Sequence, residues 1–281
     1  MVGLDHVHLH SGELGRVIER SLRGKGGLDA SEKIEEVFLS LLGDFPLGRP
    51  FTFREQYRGA MVQNIQPAKT HESEASSRGR VRLDFHTDDV FLDPPSRPEY
   101  IALLGVRNPD RIPTELVRLD DVLQELDSET LEALSRSQFS FGCPPSFDVN
   151  DRADLRTRPR PILRGGAEGG FEVGLPASTT EPIETAEPNA GTHLQRLKAA
   201  IIAAPRRAFT LDAGEILIFS NSRCLHGRPP VVGPERWLKR VYLREDLTTL
   251  EGTAATESPN VYEAVRAFRQ TQLEDDGATT R

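Results

Sequence analysis

The chain has 281 residues, 37% of them hydrophobic and 28% charged, with a formal net charge of −8. This is the balance of a somewhat polar globular protein, long enough for one large all-β domain, and its acidic excess argues against a nucleic-acid backbone as partner. Two cysteines make no disulfide framework and no apolar run approaches 18 residues, so a reduced, cytoplasmic setting with no membrane partner is expected.

In chain order, LDHVHLH reads as a short strand. Ser11 then caps a helix whose apolar face is Leu14, Val17, Ile18 and Leu22. GKGG (24–27) breaks it, and a second helix from about Ser31 carries Ile34, Val37, Phe38, Leu41 and Leu42 at helical spacing. These form a helical N-terminal buttress over 1–45. From residue 59 the pattern changes to strands: GAMVQNIQP, RVRLDFHTDDVF and PEYIALLGVRN. TELVRLDDVLQEL runs from strand into helix near Asp120. RPRPILRG and GGFEVGLP read as further strands, although residues 165–193 hold so little to bury that a long lid loop is expected there. HLQRLKAAIIAA is a helix, RAFTLDAGEILIFSNSRCLHGRPPVV is strand–turn–strand, and RWLKRVYLRED is a strand. SPNVYEAVRAFRQTQ closes as a helix before a tail at 273–281. Many short strands with Gly/Pro turns and flanking helices give a mainly β, single-domain architecture over 1–281, a distorted jelly roll or double-stranded β-helix.

RVRLDFHTDDVF (80–91) carries the first candidate chemistry. Residues i and i+2 of a strand face one way, so His86 and Asp88 present an imidazole and a carboxylate together. An isolated pair of this kind is more often a surface ion pair than a ligand pair. His226 in SRCLHGRPP, leaving a strongly apolar strand, supplies a second histidine. Two histidines and one carboxylate make the facial triad of non-haem Fe(II) oxygenases, which leaves metal positions open. Arg240 follows His226 by 14 residues. An oxygenase using 2-oxoglutarate needs a cation for the distal carboxylate of that cosubstrate, and a guanidinium binds it bidentately.

FHTDDVF with PEYIALLGVRNPD, then DAGEILIFSNSRCLHGRPPV, then RWLKRVYLRED resemble the clavaminate-synthase-like branch of the Fe(II)/2-oxoglutarate-dependent oxygenases, over roughly residues 45 to 247. The resemblance implies His86, Asp88 and His226 as metal ligands, Arg240 as the 2-oxoglutarate anchor and Thr114 as its hydroxyl support. It also implies that Arg244 holds the α-carboxylate of an amino-acid substrate. Arg240, Tyr242 and Arg244 share a strand face, so both cations can open into one pocket. Many members of the branch have Glu where Asp88 stands, which changes what the carboxylate can touch. Gln63, just before the metal strand, is a candidate for a substrate amine.

The implied reaction consumes O2 and 2-oxoglutarate, releases succinate and CO2, and hydroxylates C3 or C4 of a free or carrier-bound amino acid or derivative. Desaturation and cyclisation use the same cofactors. A cupin-like metal hydrolase or isomerase, or a non-catalytic binding protein on this scaffold, are the readings from other classes. His6, His8 and His10 read as exposed edge residues, and His71 and His193 as loop residues. Cys224 reads as a buried packing residue and Arg223 and Arg228 as structural ion-pair partners. Glu168, Glu172 and Glu181 read as solvated loop acids.

Overall fold

Helical periodicity near the N-terminus becomes two helices in the computed structural model, which describes residues 5–23, 28–150, 155–166, 169–176, 178–255 and 259–270. After strand β1 (His6–His10) come α1 (Gly12–Arg23) and α2 (Leu28–Gly43). The Ser11 hydroxyl accepts the Leu14 N–H at 3.2 Å, the expected cap. Leu14 and Ile18, and Ile34, Phe38 and Leu42, recur at four-residue steps and are buried.

The next strands are β2 (Arg49–Phe53), β3 (Gln63–Ile65), β4 (Leu83–His86), β5 (Tyr100–Arg107) and β6 (Thr114–Arg118). Helices α3 (Leu119–Leu123) and α4 (Ser128–Leu134) lead to β7 (Phe139–Phe141), β8 (Leu163–Gly165), β9 (Phe171–Val173) and β10 (Thr180–Pro182). Helix α5 (Ala190–Ala203) precedes β11 (Arg206–Phe209), β12 (Glu215–Ser220), β13 (Cys224–Arg228), β14 (Trp237–Arg244) and β15 (Val261–Tyr262).

Among the described residues these strands make a seven-stranded sheet in the order β1-β12-β5-β14-β2-β15, with β3 also on β14, and a four-stranded sheet in the order β11-β6-β13-β4. The period-2 alternation sorts the faces of the larger sheet. Ala102, Leu104, Ile216, Ile218, Val241 and Leu243 pack under α1 and α2. Ile101, Leu103, Leu217, Phe219, Leu238 and Tyr242 face inward, where they meet Leu116 and Cys224 of the smaller sheet. The smaller sheet's other face, with Phe85, Val117 and Leu225, is covered by α5 through Leu194, Leu197 and Ile201. The chain is thus mainly β with flanking helices. None of its described helices is long and apolar enough to cross a membrane.

Two stretches differ from expectation. Residues 165–193 are not a plain loop: β9 pairs with β8 and β10 with β7. Phe171, Val173 and Leu175 supply enough apolar contact to dock the segment, and Thr87 donates its N–H to the Leu175 carbonyl at 2.8 Å. The C-terminal helix begins at 264, because Val261 and Tyr262 pair in parallel with β2. Both Glu55 carboxylate oxygens accept N–H groups of that helix start, from Ala264 and Val265. The expected tail at 273–281 lies outside the described residues.

The buttress is also fixed by one charge. Lys239 faces α2 from β14, fully buried, and its Nζ donates to Glu35 Oε1 at 2.6 Å, Ser31 Oγ at 2.9 Å and Asn64 Oδ1 at 3.0 Å. Glu35→Ala leaves that ammonium without its counter-charge. We expect a loss of roughly 2–4 kcal/mol in urea unfolding, just under the range for a fully buried pair because Glu35 is part-exposed. An unchanged midpoint would show that Ser31 and Asn64 suffice.

Candidate metal centre and its pocket

Strands β4 and β13 are antiparallel neighbours with His86 directly opposite His226. The imidazole centroids lie 4.2 Å apart. Gly227 permits this approach, since a Cβ there would lie 2.7 Å from the Leu83 carbonyl oxygen. Asp88 sits just past the end of β4, in a turn held from the other sheet. Asn221 accepts the Asp88 N–H at 2.8 Å and donates to the Asp88 carbonyl at 3.1 Å. The next residue, Asp89, has φ of 57°, a left-handed conformation that costs a non-glycine residue energy.

Asp88 Oδ1 lies 3.3 Å from His86 Nε2 and 3.7 Å from His226 Nε2. All three ligand atoms fall within 4.8 Å of one another. His86 Nδ1 lies 2.8 Å from the Asp84 carbonyl, and a proton held there leaves the Nε2 lone pair facing the cluster. Burial, with His86 nearby, pushes His226 down to about 3, so its imidazole is neutral at neutral pH. Two imidazole nitrogens and one carboxylate oxygen converging in this way fit a divalent metal ion.

The other oxygen of Asp88 is engaged elsewhere. Oδ2 accepts Arg240 Nη1 at 2.7 Å and the Tyr242 hydroxyl at 3.0 Å, both reaching from β14 of the larger sheet. Burial pushes the Asp88 carboxyl up, but Arg240, with His226 and His86, outweighs it and holds the group far below the usual range. Asp89 shows the opposite outcome: burial and the Asp88 charge raise it to about 8.

His86, Asp88, Thr114, His226, Arg236 and Arg240 line one pocket. The structure does not join Thr114 to Arg240. Thr114 Oγ1 instead accepts Arg236 Nη2 at 3.2 Å, and Arg236 is buried with no carboxylate beside it among the described residues. Gln63 does not line the pocket; its Oε1 accepts Arg240 Nε at 2.9 Å, and its Nε2 donates to Thr52. Arg244 lies on the expected strand face but at the sheet's end, outside this pocket. There it donates to the Asp246 and Arg97 carbonyls and pairs with Glu99 at 3.1 Å. Strand alternation places Arg236, Arg240 and Arg244 on one face but does not fix their depth. At about 3.3 Å per residue, four residues shift a side chain by roughly 13 Å. Counting 14 residues from His226 assumed a loop length, whereas counting back from the strand brings Arg236 beside Thr114.

With this geometry, comparison with known proteins is decisive. The profile of the taurine catabolism dioxygenase TauD, TfdA family matches residues 22–242. The chain belongs to that family. This TauD/TfdA-family chain is 30% identical over 224 residues to enduracididine beta-hydroxylase of Streptomyces hygroscopicus, covering 72% of the chain and 64% of that protein. It thus spans less than two thirds of that relative's length. It is 26% identical over 232 residues to clavaminate synthase 2 of Streptomyces clavuligerus, covering 78% of the chain and 67% of that protein, so the resemblance read from the sequence holds. A crystal structure of asparagine oxygenase with Fe(II), 3-hydroxyasparagine and succinate superposes with a TM-score of 0.69 at 28% identity, over 78% of this chain and 67% of that one.

Other residues singled out in the sequence fall into structural places. Arg223 pairs with Asp120 at 2.7 Å. Arg228 donates to the carbonyls of Ser76, Gly79, Val81 and Pro229 rather than to an acid. Cys224 is buried, its thiol pushed up to about 12 by burial. His193 is not in a loop but buried in α5, 3.0 Å from the Thr130 hydroxyl. Glu172 pairs with Arg164 and Glu181 with Arg156, and Glu168 lies outside the described residues.

Among the described residues, Asp88→Ala removes the only carboxylate bonded to Arg240 and strands that buried guanidinium. We expect it to cost about 3–5 kcal/mol in metal-free chemical unfolding, and His226→Ala, which strands no charge, to cost less. Because the folded-state pKa of Asp88 is depressed, this contribution is full above the usual carboxylate range and fades as pH falls through the depressed value. Equal losses for the two variants would show that Arg240 does not depend on Asp88.

Proposed function

We propose that the protein is an Fe(II)- and 2-oxoglutarate-dependent oxygenase that hydroxylates C3 or C4 of an amino acid or close derivative. The observation that carries this reading is the buried Arg236–Thr114 pair, without a carboxylate partner among the described residues, in the same pocket as His86, Asp88 and His226. Burial lowers Arg236 to about 9, with Arg228 adding repulsion, so an incoming carboxylate relieves an unpaired charge. A metal hydrolase or isomerase has no use for that pair.

In this reading His86, Asp88 and His226 hold the metal. Arg236 and Thr114 take the distal carboxylate of 2-oxoglutarate, the role first expected of Arg240. When bound, Fe(II) and 2-oxoglutarate with O2 supply the oxidant for an unactivated C–H, with succinate and CO2 as coproducts. Arg240 uses one N–H on Asp88, and Nε and one further N–H on Gln63. One N–H remains on each terminal nitrogen, a fork suited to a substrate carboxylate. Gln63 orients that fork, and Arg244 anchors the end of β14. Ser77, Pro144, Ser146, Pro176 and Thr179 line the rest of the pocket and limit its water.

The names of the relatives, a β-hydroxylase and an oxygenase crystallised with 3-hydroxyasparagine, support C3 as the position. The two facing sheets are read as a distorted jelly roll forming a single domain, in a cytoplasmic setting. The substrate is free or carrier-bound.

Succinate release that requires Fe(II), 2-oxoglutarate and an amino acid from a panel tests the function. Arg236→Ala should weaken 2-oxoglutarate binding by roughly 30-fold to several thousand-fold, the equivalent of about 2–5 kcal/mol, and spare metal binding. Wild-type affinity in Arg236→Ala, beside a loss in Arg240→Ala, would return the anchor to Arg240. Absence of succinate under every condition would end the oxygenase reading.

A further inference from the structure

The Tyr242 hydroxyl is buried at the metal centre, and nothing in the proposed reaction so far uses it. Its ring is packed between neighbours, with the Arg240 guanidinium carbon over it at 4.5 Å from the centroid and the Phe51 ring tilted by 37° at 6.1 Å. The side chain is fully buried, yet it brings a polar hydroxyl into the core, where phenylalanine would pack as well. The hydroxyl reaches Asp88 Oδ2 at 3.0 Å.

An aspartate can ligate a metal through one oxygen or two. In the proposed function, three protein donors, two 2-oxoglutarate oxygens and O2 fill six positions. A second oxygen from Asp88 would occupy one that the cosubstrate or O2 needs. Oδ2 is the oxygen drawn away from both imidazoles, and only Arg240 and Tyr242 among the described residues hold it. Arg240 divides its guanidinium among Asp88, Gln63 and, in the proposed function, the substrate carboxylate. Tyr242 is neutral, has no second partner among the described residues and is locked by packing.

Resting on the oxygenase reading, we propose that Tyr242 is a positioning residue that keeps Asp88 a one-oxygen ligand and so keeps a coordination position open for 2-oxoglutarate. Arg240 shares this task through one N–H, and Tyr242 is the partner of Oδ2 that has no other duty among the described residues.

The test compares full-length wild type and Tyr242→Phe, loaded anaerobically with Co(II), whose visible spectrum reports coordination number. The unfolding midpoint of each protein is measured alongside. The variant is expected to keep its midpoint and to bind Co(II) within about threefold of wild type. Its Co(II) bands should weaken towards a higher coordination number, and the affinity of the Co(II) form for 2-oxoglutarate should fall on the order of tenfold, the scale of one hydrogen bond to a charged group. An unchanged spectrum with unchanged 2-oxoglutarate affinity overturns the proposal. Parallel loss of Co(II) and 2-oxoglutarate binding, or a lowered midpoint with the spectrum unaltered, makes Tyr242 a structural support and overturns it too. Wild type that binds neither Co(II) nor 2-oxoglutarate ends the oxygenase reading itself, whereas wild type that binds both beside an unchanged variant ends only this inference.

Discussion

The two oxygens of Asp88 face different halves of the molecule, and the site follows from that division. Oδ1 looks toward imidazoles carried by the four-stranded sheet, and Oδ2 is held by Arg240 and Tyr242 from the seven-stranded sheet. Neither sheet contains the site by itself. The apolar cluster that joins them, with Leu103, Leu217 and Tyr242 against Leu116 and Cys224, therefore sets the distance between the cation and the histidines. Packing and chemistry meet at Tyr242, which belongs to that core and touches the carboxylate.

The buried cations of this chain meet three different fates, and the contrast is informative. Lys239 has an acid, Glu35. Arg228 has no acid among the described residues but donates to four carbonyls, three of them in the 76–81 segment beside the pocket. Arg236 has a hydroxyl and one distant carbonyl, and least of all to balance its charge. Burying a guanidinium so poorly compensated is unfavourable for folding alone. That imbalance, more than its place in a motif, is what the proposed anchoring role of Arg236 rests on.

Much of this architecture was legible in the sequence because it rests on periodicity. Apolar residues four apart in α1 and α2, and alternation along β5, β12 and β14, identify both the elements and the faces they bury. His86 was legible for a related reason, since it ends an apolar strand beside turn residues, whereas His226, expected to leave a strand, stands in the middle of β13. What alternation could not convey was depth. Arg236, Arg240 and Arg244 share parity, and only the register of β14 on β5 and β3 separates the pocket floor from the sheet's edge. The strand Phe171–Val173 was legible in GGFEVGLP, but the docking of the 165–193 segment was not, because its few apolar residues stand among glycines and polar residues. Its order comes from docking on Thr87 and Ser222. His193 was misread because its partner, Thr130, is distant in sequence.

Strand β14 works as a graduated ruler. Its inward positions run Leu238, Arg240 and Tyr242, with Arg236 just before the strand and Arg244 at its end, so successive marks differ in height rather than direction. Removing two residues within the strand would leave every side chain on its proper face and give every one the wrong height. The loop 229–235, by contrast, lies outside the graduated part and only closes the distance from β13. Length variation among homologous chains should accordingly collect in that loop, while the spacing from Arg236 to Tyr242 stays fixed. An alignment anchored on His226 will drift across the loop, whereas one anchored on the strand will not.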